Sequence, residues 1–331
     1  MPPAAVDIGG TKIQVADARR ETSPVTELAT PVRDGPDAII DCIAGALAGL
    51  PRPGPVVVAS PGSLDVAGGI VHYAANLPFA EFPLAARLKA ATRRPVRLVG
   101  DAVAAAVGEF STGAGAGYRD GIYITVSTGI GMGLVVNGRL VTGVADQAGE
   151  LGHVPVVTGT TALPCSCGQA GCLEAYASGR ALAARAAGRI AAAPDAAAPA
   201  PDATAATPGA MAPLPVTARE VLDAARRGDP AAGALLDEAV ELLAMAVASL
   251  VRLLAPPVVV LGGGLMLAGG LLGPVRDRVA GILAVTVPGI ADAMVPARHG
   301  RFSGLRGAAL IARADPTAIG LLDGRSRRQE P

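Results

Sequence analysis

Lysines, aromatic side chains, excess charge and long apolar runs are all scarce in this 331-residue chain. Lys12 and Lys89 are the only lysines, and aromatics make up 2% of the sequence, so alanine, valine, glycine and proline carry the composition. The formal net charge is zero and no basic block stands out. Bulk electrostatics therefore give no reason to expect nucleic acid as a partner. The short run Arg325-Ser326-Arg327-Arg328 reads as a solvated end rather than a binding arm. No apolar stretch is long enough to span a bilayer, because Arg, Asp and Glu break the alanine-rich segments. Met1-Pro2-Pro3-Ala4-Ala5 runs straight into Asp7 with no secretory-signal pattern, so the expected compartment is the cytoplasm. Of four cysteines, Cys42 stands alone in an expected helix and three are clustered, a pattern that favours metal over disulfides in an intracellular chain.

The length suffices for one large or two medium domains. Ala4 to Val15 alternates around Asp7-Ile8-Gly9-Gly10-Thr11-Lys12 and reads as a hairpin with a glycine turn. The pattern then predicts a helix over Ala38–Leu50, a buried strand at Val56–Ala59, a helix over Leu84–Thr92, a strand at Val96–Val99 and a helix over Asp101–Glu109. A second unit opens with strands at Gly121–Ser127, Gly133–Val136 and Arg139–Thr142, the last two joined by Asn137-Gly138. Helices are expected over Gly179–Ala193, Val216–Ala225 and Pro230–Leu254, and a buried strand at Pro257–Leu261. Pro194 to Pro215 is rich in Ala, Pro and Gly and reads as a mobile loop. Two units built from strands, glycine turns and helices imply a two-lobed α/β protein with its ligand cleft at strand ends.

Several motifs carry chemistry, each with a plain structural alternative. In Asp7-x-Gly-Gly-Thr-Lys the backbone can approach a phosphate, Thr11 and Lys12 offer a hydroxyl and a cation, and Asp7 can hold magnesium through water; an ordinary hairpin turn looks the same. Ser127-Thr128-Gly129-Ile130-Gly131-Met132-Gly133 lies between two strands, so it is not a dinucleotide fingerprint, but it repeats the style of the first loop. Gly262-Gly263-Gly264 suits a flat ring or ribose, or simply close packing. Gly100-Asp101 is either a helix cap or a general base for a hydroxyl attacking phosphorus. His153, Cys165, Cys167 and Cys172 supply the soft N/S donors that tetrahedral zinc takes, bracketed by Glu150 and Glu174. His72 and His299 have no partner pattern and read as surface or packing residues.

Taken in this order, the motifs resemble the ROK family (repressor, open reading frame, kinase) of the actin-like ATPase superfamily of sugar kinases. The resemblance runs from Asp7 to about Ala312, apart from the Ala/Pro stretch. Gly-Glu-Leu-Gly-His at 149–153 followed by Cys-x-Cys-Gly-x-x-Gly-Cys-Leu-Glu at 165–174 makes it specific. It implies an actin-like (ribonuclease H-like) fold with an N-terminal lobe over 1–108 and a larger C-terminal lobe over 109–331. By the same resemblance Asp7, Gly9, Gly10, Thr11, Lys12, Thr128 and Gly129 hold ATP phosphates, and Gly263 and Gly264 lie near the adenosine. Asp101 is the implied base for the sugar hydroxyl, usually that on C6. Gly62, Asn76, Glu150, His153 and Glu174 match sugar-contacting positions, and His153, Cys165, Cys167 and Cys172 match ligands of a structural zinc. Mg2+ accompanies ATP, and a homodimer or dimer of dimers is the implied assembly.

Two departures stand out. Most family kinases carry Asn before the catalytic Asp, contacting ring hydroxyls on the C3–C4 side; here it is Gly100, which implies a substrate altered near C3 or C4, such as the amino-sugar kanosamine, or else a sugar sensor without turnover. Ser127 replaces a common Gly, a mild change. ROK repressors carry a DNA-binding domain ahead of the first glycine loop, for which this chain leaves no room, so the kinase branch is expected.

Overall fold

The computed structural model describes residues 3–20, 23–50, 54–188 and 216–314. The chain opens with β1 (Ala4–Ile8), β2 (Lys12–Asp17) and β3 (Val25–Ala29), then α1 (Pro36–Ala48) and β4 (Val56–Ser60). A short meander follows, β5 (Ser63–Asp65), β6 (Ile70–Tyr73) and β7 (Ala80–Phe82), before α2 (Leu84–Thr92), β8 (Val96–Gly100) and α3 (Asp101–Thr112). The second half repeats the plan with β9 (Gly121–Val126), β10 (Ile130–Val136) and β11 (Arg139–Val141). After the cysteine segment come α4 (Glu174–Ala177), α5 (Gly179–Ala186), α6 (Ala218–Arg226) and α7 (Pro230–Leu254). The chain then forms β12 (Val259–Gly262), α8 (Gly264–Leu267), α9 (Leu272–Leu283), α10 (Ile290–Ala293), β13 (Met294–Pro296) and α11 (Ser303–Arg313).

Both large sheets share one topology. The first runs β3-β2-β1-β4-β8 and the second β11-β10-β9-β12-β13. In each, an antiparallel hairpin is followed by a strand parallel to its first strand: β1 pairs antiparallel with β2 and parallel with β4, and β9 pairs antiparallel with β10 and parallel with β12. Both glycine loops therefore sit at equivalent hairpin turns, one in each sheet.

Helices α3 and α11 occupy the space between the sheets. Ala104 and Val107 of α3 join Leu305, Ala308 and Ile311 of α11 against Ala5, Val57 and Val99 of the first sheet. Ala105, Ala106 and Phe110, on the other side of α3, pack on Tyr123 and Val135 of the second. The two helices cross with their backbones nearly touching: a Cβ on Gly307 would overlap the Ala104 carbonyl, and one on Gly108 would lie 2.6 Å from the Ser303 carbonyl oxygen. Glu109 locks the crossing. Its carboxylate is wholly buried and accepts the N–H groups of Ala114 (2.9 Å), Arg298 (2.9 Å) and His299 (2.8 Å) and the Ser303 hydroxyl (2.7 Å). Four donors stand in for the water that a buried carboxylate would otherwise need.

Helices α2 and α7 have the bounds that periodicity predicts, and α1 starts at Pro36, two residues early, with proline at the first helical position. β10 starts at Ile130 rather than Gly133, because the hairpin ladder continues up to the second glycine loop. The boundary expected at residue 108 falls inside α3, and α11, far beyond it, packs on the first sheet. The expected helix over Gly179–Ala193 is described only to Ala186 in α5, and the Ala/Pro stretch 194–215 and the Arg325–Arg328 run lie outside the described residues. Among the described residues no helix is long and apolar enough to cross a membrane.

Helix propensity alone would have Gly307→Ala stabilise α11 by about 1 kcal/mol. The overlap with Ala104 reverses the sign, so the substitution should lower unfolding free energy by about 1–3 kcal/mol in a denaturant titration. An unchanged or higher stability would show that the helices do not cross this closely.

Candidate functional site

A cleft of about 1600 Å3 runs between the lobes, and Gly9, Gly10, Gly62, Asn76, Asp101, Thr128, Gly129, Glu150, His153 and Glu174 all line it. Most of the residues singled out from sequence thus share one cavity. Asp7, Thr11, Lys12, Gly263 and Gly264 are not among its lining. Thr11 and Lys12 are exposed, and the Lys12 ammonium lies 3.9 Å from Glu27. Gly263 and Gly264 follow β12 beside the second glycine loop, where a Cβ on Gly264 would come 3.9 Å from the Ser127 hydroxyl.

The first loop is closed by the Gly9 N–H donating to the Lys12 carbonyl (2.8 Å) and by the Thr30 hydroxyl donating to the Gly9 carbonyl (2.7 Å). Asp7, just before it, receives the Leu305 N–H at the start of α11. Its pKa is pushed up to about 7, chiefly by burial and then by the charge of Asp101, against the Leu305 hydrogen bond. An enclosed carboxylate with no cationic side chain setting its pKa, Asp7 is an oxygen donor that fits a divalent cation.

Asp101 is the first residue of α3, where β8 ends at the cleft. Burial raises its pKa, the Ala102 N–H donating to Oδ1 (2.7 Å) pulls it back, and the charge of Glu174 raises it again. Gly100 has φ −63° and ψ 140°, a conformation open to any residue. A Cβ there would meet only Val103, at 3.6 Å, so the glycine answers no backbone need and leaves free space beside Asp101.

Glu174 holds the exit of the second loop. Its Oε2 accepts the Ile130 N–H at 2.8 Å, and a Cβ on Gly129 would lie 2.7 Å from the same oxygen. Glu150 is raised by burial, lowered by His153, and raised by Asp101 and Glu174. Three acids therefore face one cleft, with the His153 imidazole opposing them.

His153 faces two ways. Its Nδ1 lies 3.5 Å from Cys165 Sγ, while Nε2 lies 3.9 Å from Glu150 Oε2. Cys167 and Cys172 have their sulfurs 3.7 Å apart, and the four ligand atoms of the cluster all fall within 4.8 Å of one another. Tetrahedral Zn–S bonds of about 2.3 Å place sulfurs about 3.8 Å apart, so the spacing and the N/S donors fit zinc. The cysteines are free thiols, and burial, with the neighbouring sulfurs, pushes the Cys172 thiol well up.

Outside the cleft, His72 pairs with Glu81 at 3.0 Å and His299 Nε2 with the Thr112 hydroxyl at 2.9 Å. Thr30, the Leu305 amide and Arg180 also bear on the site but belong to no sequence motif. Each acts through a contact at long range in the chain, and only Arg180, after the helix-capping Ser178-Gly179 pair, stands next to a local signal.

Residues 3–315 match the ROK family. A glucokinase of Streptomyces coelicolor is 34% identical over 314 residues, covering 93% of this chain and 96% of that protein. An N-acetylmannosamine kinase of Citrobacter koseri is 34% identical over 336 residues, covering 95% and 100%. The crystal structure of a ROK family glucokinase from Streptomyces griseus in complex with glucose and AMPPNP aligns with a TM-score of 0.75 at 32% identity, covering 95% of this chain and 99% of that one. The two-lobed fold is thus the actin-like fold of the ROK sugar kinases. With sequence and fold in agreement over nearly its whole length, the chain belongs to the ROK family.

Proposed function

We propose that this protein is an ATP-dependent sugar kinase that phosphorylates a hexose or amino-hexose on its C6 hydroxyl, with Asp101 as general base. One observation carries the reading: Asp101, at the start of α3 and with a raised pKa, shares a cleft with both glycine loops and with Glu150, His153 and Glu174. The family membership and the glucose–AMPPNP complex of the Streptomyces griseus relative support it.

In this reading the sugar lies against Gly62, Asn76, Glu150, His153 and Glu174. ATP phosphates run along Asp7–Lys12 and Thr128–Gly129, with the adenosine toward Gly263 and Gly264. Lobe closure excludes water that would hydrolyse the nucleotide. Asp101 takes the hydroxyl proton as that oxygen bonds to the γ-phosphorus and the bond to the bridging oxygen of ADP breaks. Asp7 would hold magnesium through water, and the ion, when bound, supplies charge neutralisation at the phosphates. His153, Cys165, Cys167 and Cys172 would hold a structural zinc that orients Glu150, His153 and Glu174. The reading places the enzyme in the cytoplasm as a homodimer or dimer of dimers, following its family resemblance.

Only ionised Asp101 accepts a proton. Because burial raises its pKa, turnover should fall as pH drops through a value above the ordinary aspartate pKa of about 3.9. Asp101→Asn should lower kcat by at least about 100-fold in a coupled ADP-release assay while sugar binding persists. Wild-type turnover by the variant would refute the base assignment, and sugar binding by the wild type without turnover on any hexose would favour the sensor reading.

The free space at Gly100 supports a substrate altered at C3 or C4, with kanosamine as the concrete candidate. Kanosamine should show the higher kcat/KM, and Gly100→Asn should move the kanosamine-to-glucose ratio toward glucose by about tenfold or more without changing the thermal midpoint. A clear wild-type preference for glucose contradicts this choice of substrate.

Metal analysis should find about one zinc per chain. Cys167→Ser should reduce it well below one and raise the sugar KM more than it lowers kcat. Full activity in a zinc-free protein would rule out the orienting role.

A further inference from the structure

Arg180 belongs to none of the motifs above, yet it connects three of them. It is the second residue of α5, whose first turn is fixed by the Ser178 side chain accepting the Ala181 N–H at 3.1 Å. The Gly179 N–H donates to the Ser127 carbonyl (2.8 Å) and the Arg180 N–H to the Thr128 carbonyl (3.2 Å), so this turn grips the second glycine loop through its backbone. From that anchor the half-buried Arg180 side chain reaches into the other lobe, where Nη1 donates to the Ala75 carbonyl at 2.6 Å. Ala75 precedes Asn76, and Asn76 packs on the first glycine loop: a Cβ on Gly10 would lie 2.8 Å from the Asn76 Cβ. One side chain thus runs from the loop at Thr128, across the lobes, to the segment that carries Asn76 and abuts Gly10.

We propose that Arg180 is a positioning residue that couples nucleotide binding to sugar binding. The inference rests on the kinase reading, in which Thr128 and Gly10 meet phosphate and Asn76 meets sugar. A guanidinium–carbonyl hydrogen bond is charge-assisted and gains strength in a partly buried setting. It sets the separation of the two loops, so a ligand that orders one loop prepares the other. The coupling is reciprocal: AMPPNP tightens the sugar by the same factor as the sugar tightens AMPPNP. A residue with a merely structural role would, on removal, weaken both ligands or the fold and leave that factor alone.

The test is calorimetric titration of the full chain with glucose or kanosamine, whichever turns over faster, in the absence and presence of AMPPNP and magnesium, and the reverse. In the wild type each ligand should tighten the other by a factor of at least about five. Arg180→Met, which keeps most of the apolar stem and removes the donors, should bring the factor close to one, and Arg180→Lys should restore part of it because an ammonium still donates but lacks the rigid fork. If the methionine variant does not fold, Arg180→Leu, which also lacks donors, supplies the same comparison. A coupling factor unchanged in the folded variants, or wild-type protein that binds both ligands with no coupling, overturns the role of Arg180 alone. Wild-type protein that binds neither ligand overturns the kinase reading and this inference with it.

Discussion

The crossing of α3 and α11 is the constraint on which the rest of the site depends. Gly108 and Gly307 let the two backbones meet, and the buried Glu109 carboxylate binds the segment entering α11 to the end of α3. Two functional consequences follow from this one contact. The first turn of α11 delivers the Leu305 amide to Asp7, and the first residue of α3 is Asp101. The opposite face of α3, through Ala105 and Ala106, rests on the second sheet, so Asp101 is held by both lobes at once. Small residues at the crossing are what make this possible, because a Cβ on Gly108 or Gly307 would already meet the facing backbone. The abundance of alanine and glycine, unremarkable as composition, becomes a packing device here.

Around that axis the electrostatics are lopsided. Asp7, Asp101 and Glu150 all have raised pKa values, and burial is the first cause in each case. The fold concentrates acids at and beside the cleft, where the proposed kinase reading has a proton taken and hydroxyls and a divalent cation bound. His153 opposes them while its other nitrogen turns to the cysteine cluster. Glu174 has a comparable double placement, facing the acids through its charge and holding Ile130 through a hydrogen bond. The cysteine cluster therefore bears on the cleft through His153 and Glu174, and Cys167 lines the cleft itself.

Much of this was legible from local signals. The glycine hairpins, α2, α7 and the grouping of the four soft donors follow from turn chemistry, periodicity and donor spacing, all of which act within a few residues. Strands β5 to β7 were not anticipated, since three or four residues carry too little alternation to register. Helix α11 was missed for a different reason: Gly304 and Gly307 weaken its local propensity, and it is stabilised by packing on α3 and the first sheet. Residue 108, the expected boundary, lies inside α3, which packs on both large sheets. Arg180 was invisible because its partner, Ala75, lies 105 residues away and offers only a backbone carbonyl. For Gly100 the sequence raised the question, and the structure contributed the finding that a side chain would fit there without strain.

In the proposed reading the α3–α11 crossing aims Asp101 at the hydroxyl that accepts phosphate. In a crystal structure with bound sugar, magnesium and AMPPNP, an Asp101 carboxylate oxygen should lie within about 2.6–3.2 Å of a sugar hydroxyl that faces the γ-phosphate. A sugar bound in the cleft with its phosphate-facing hydroxyl out of reach of Asp101 would contradict it.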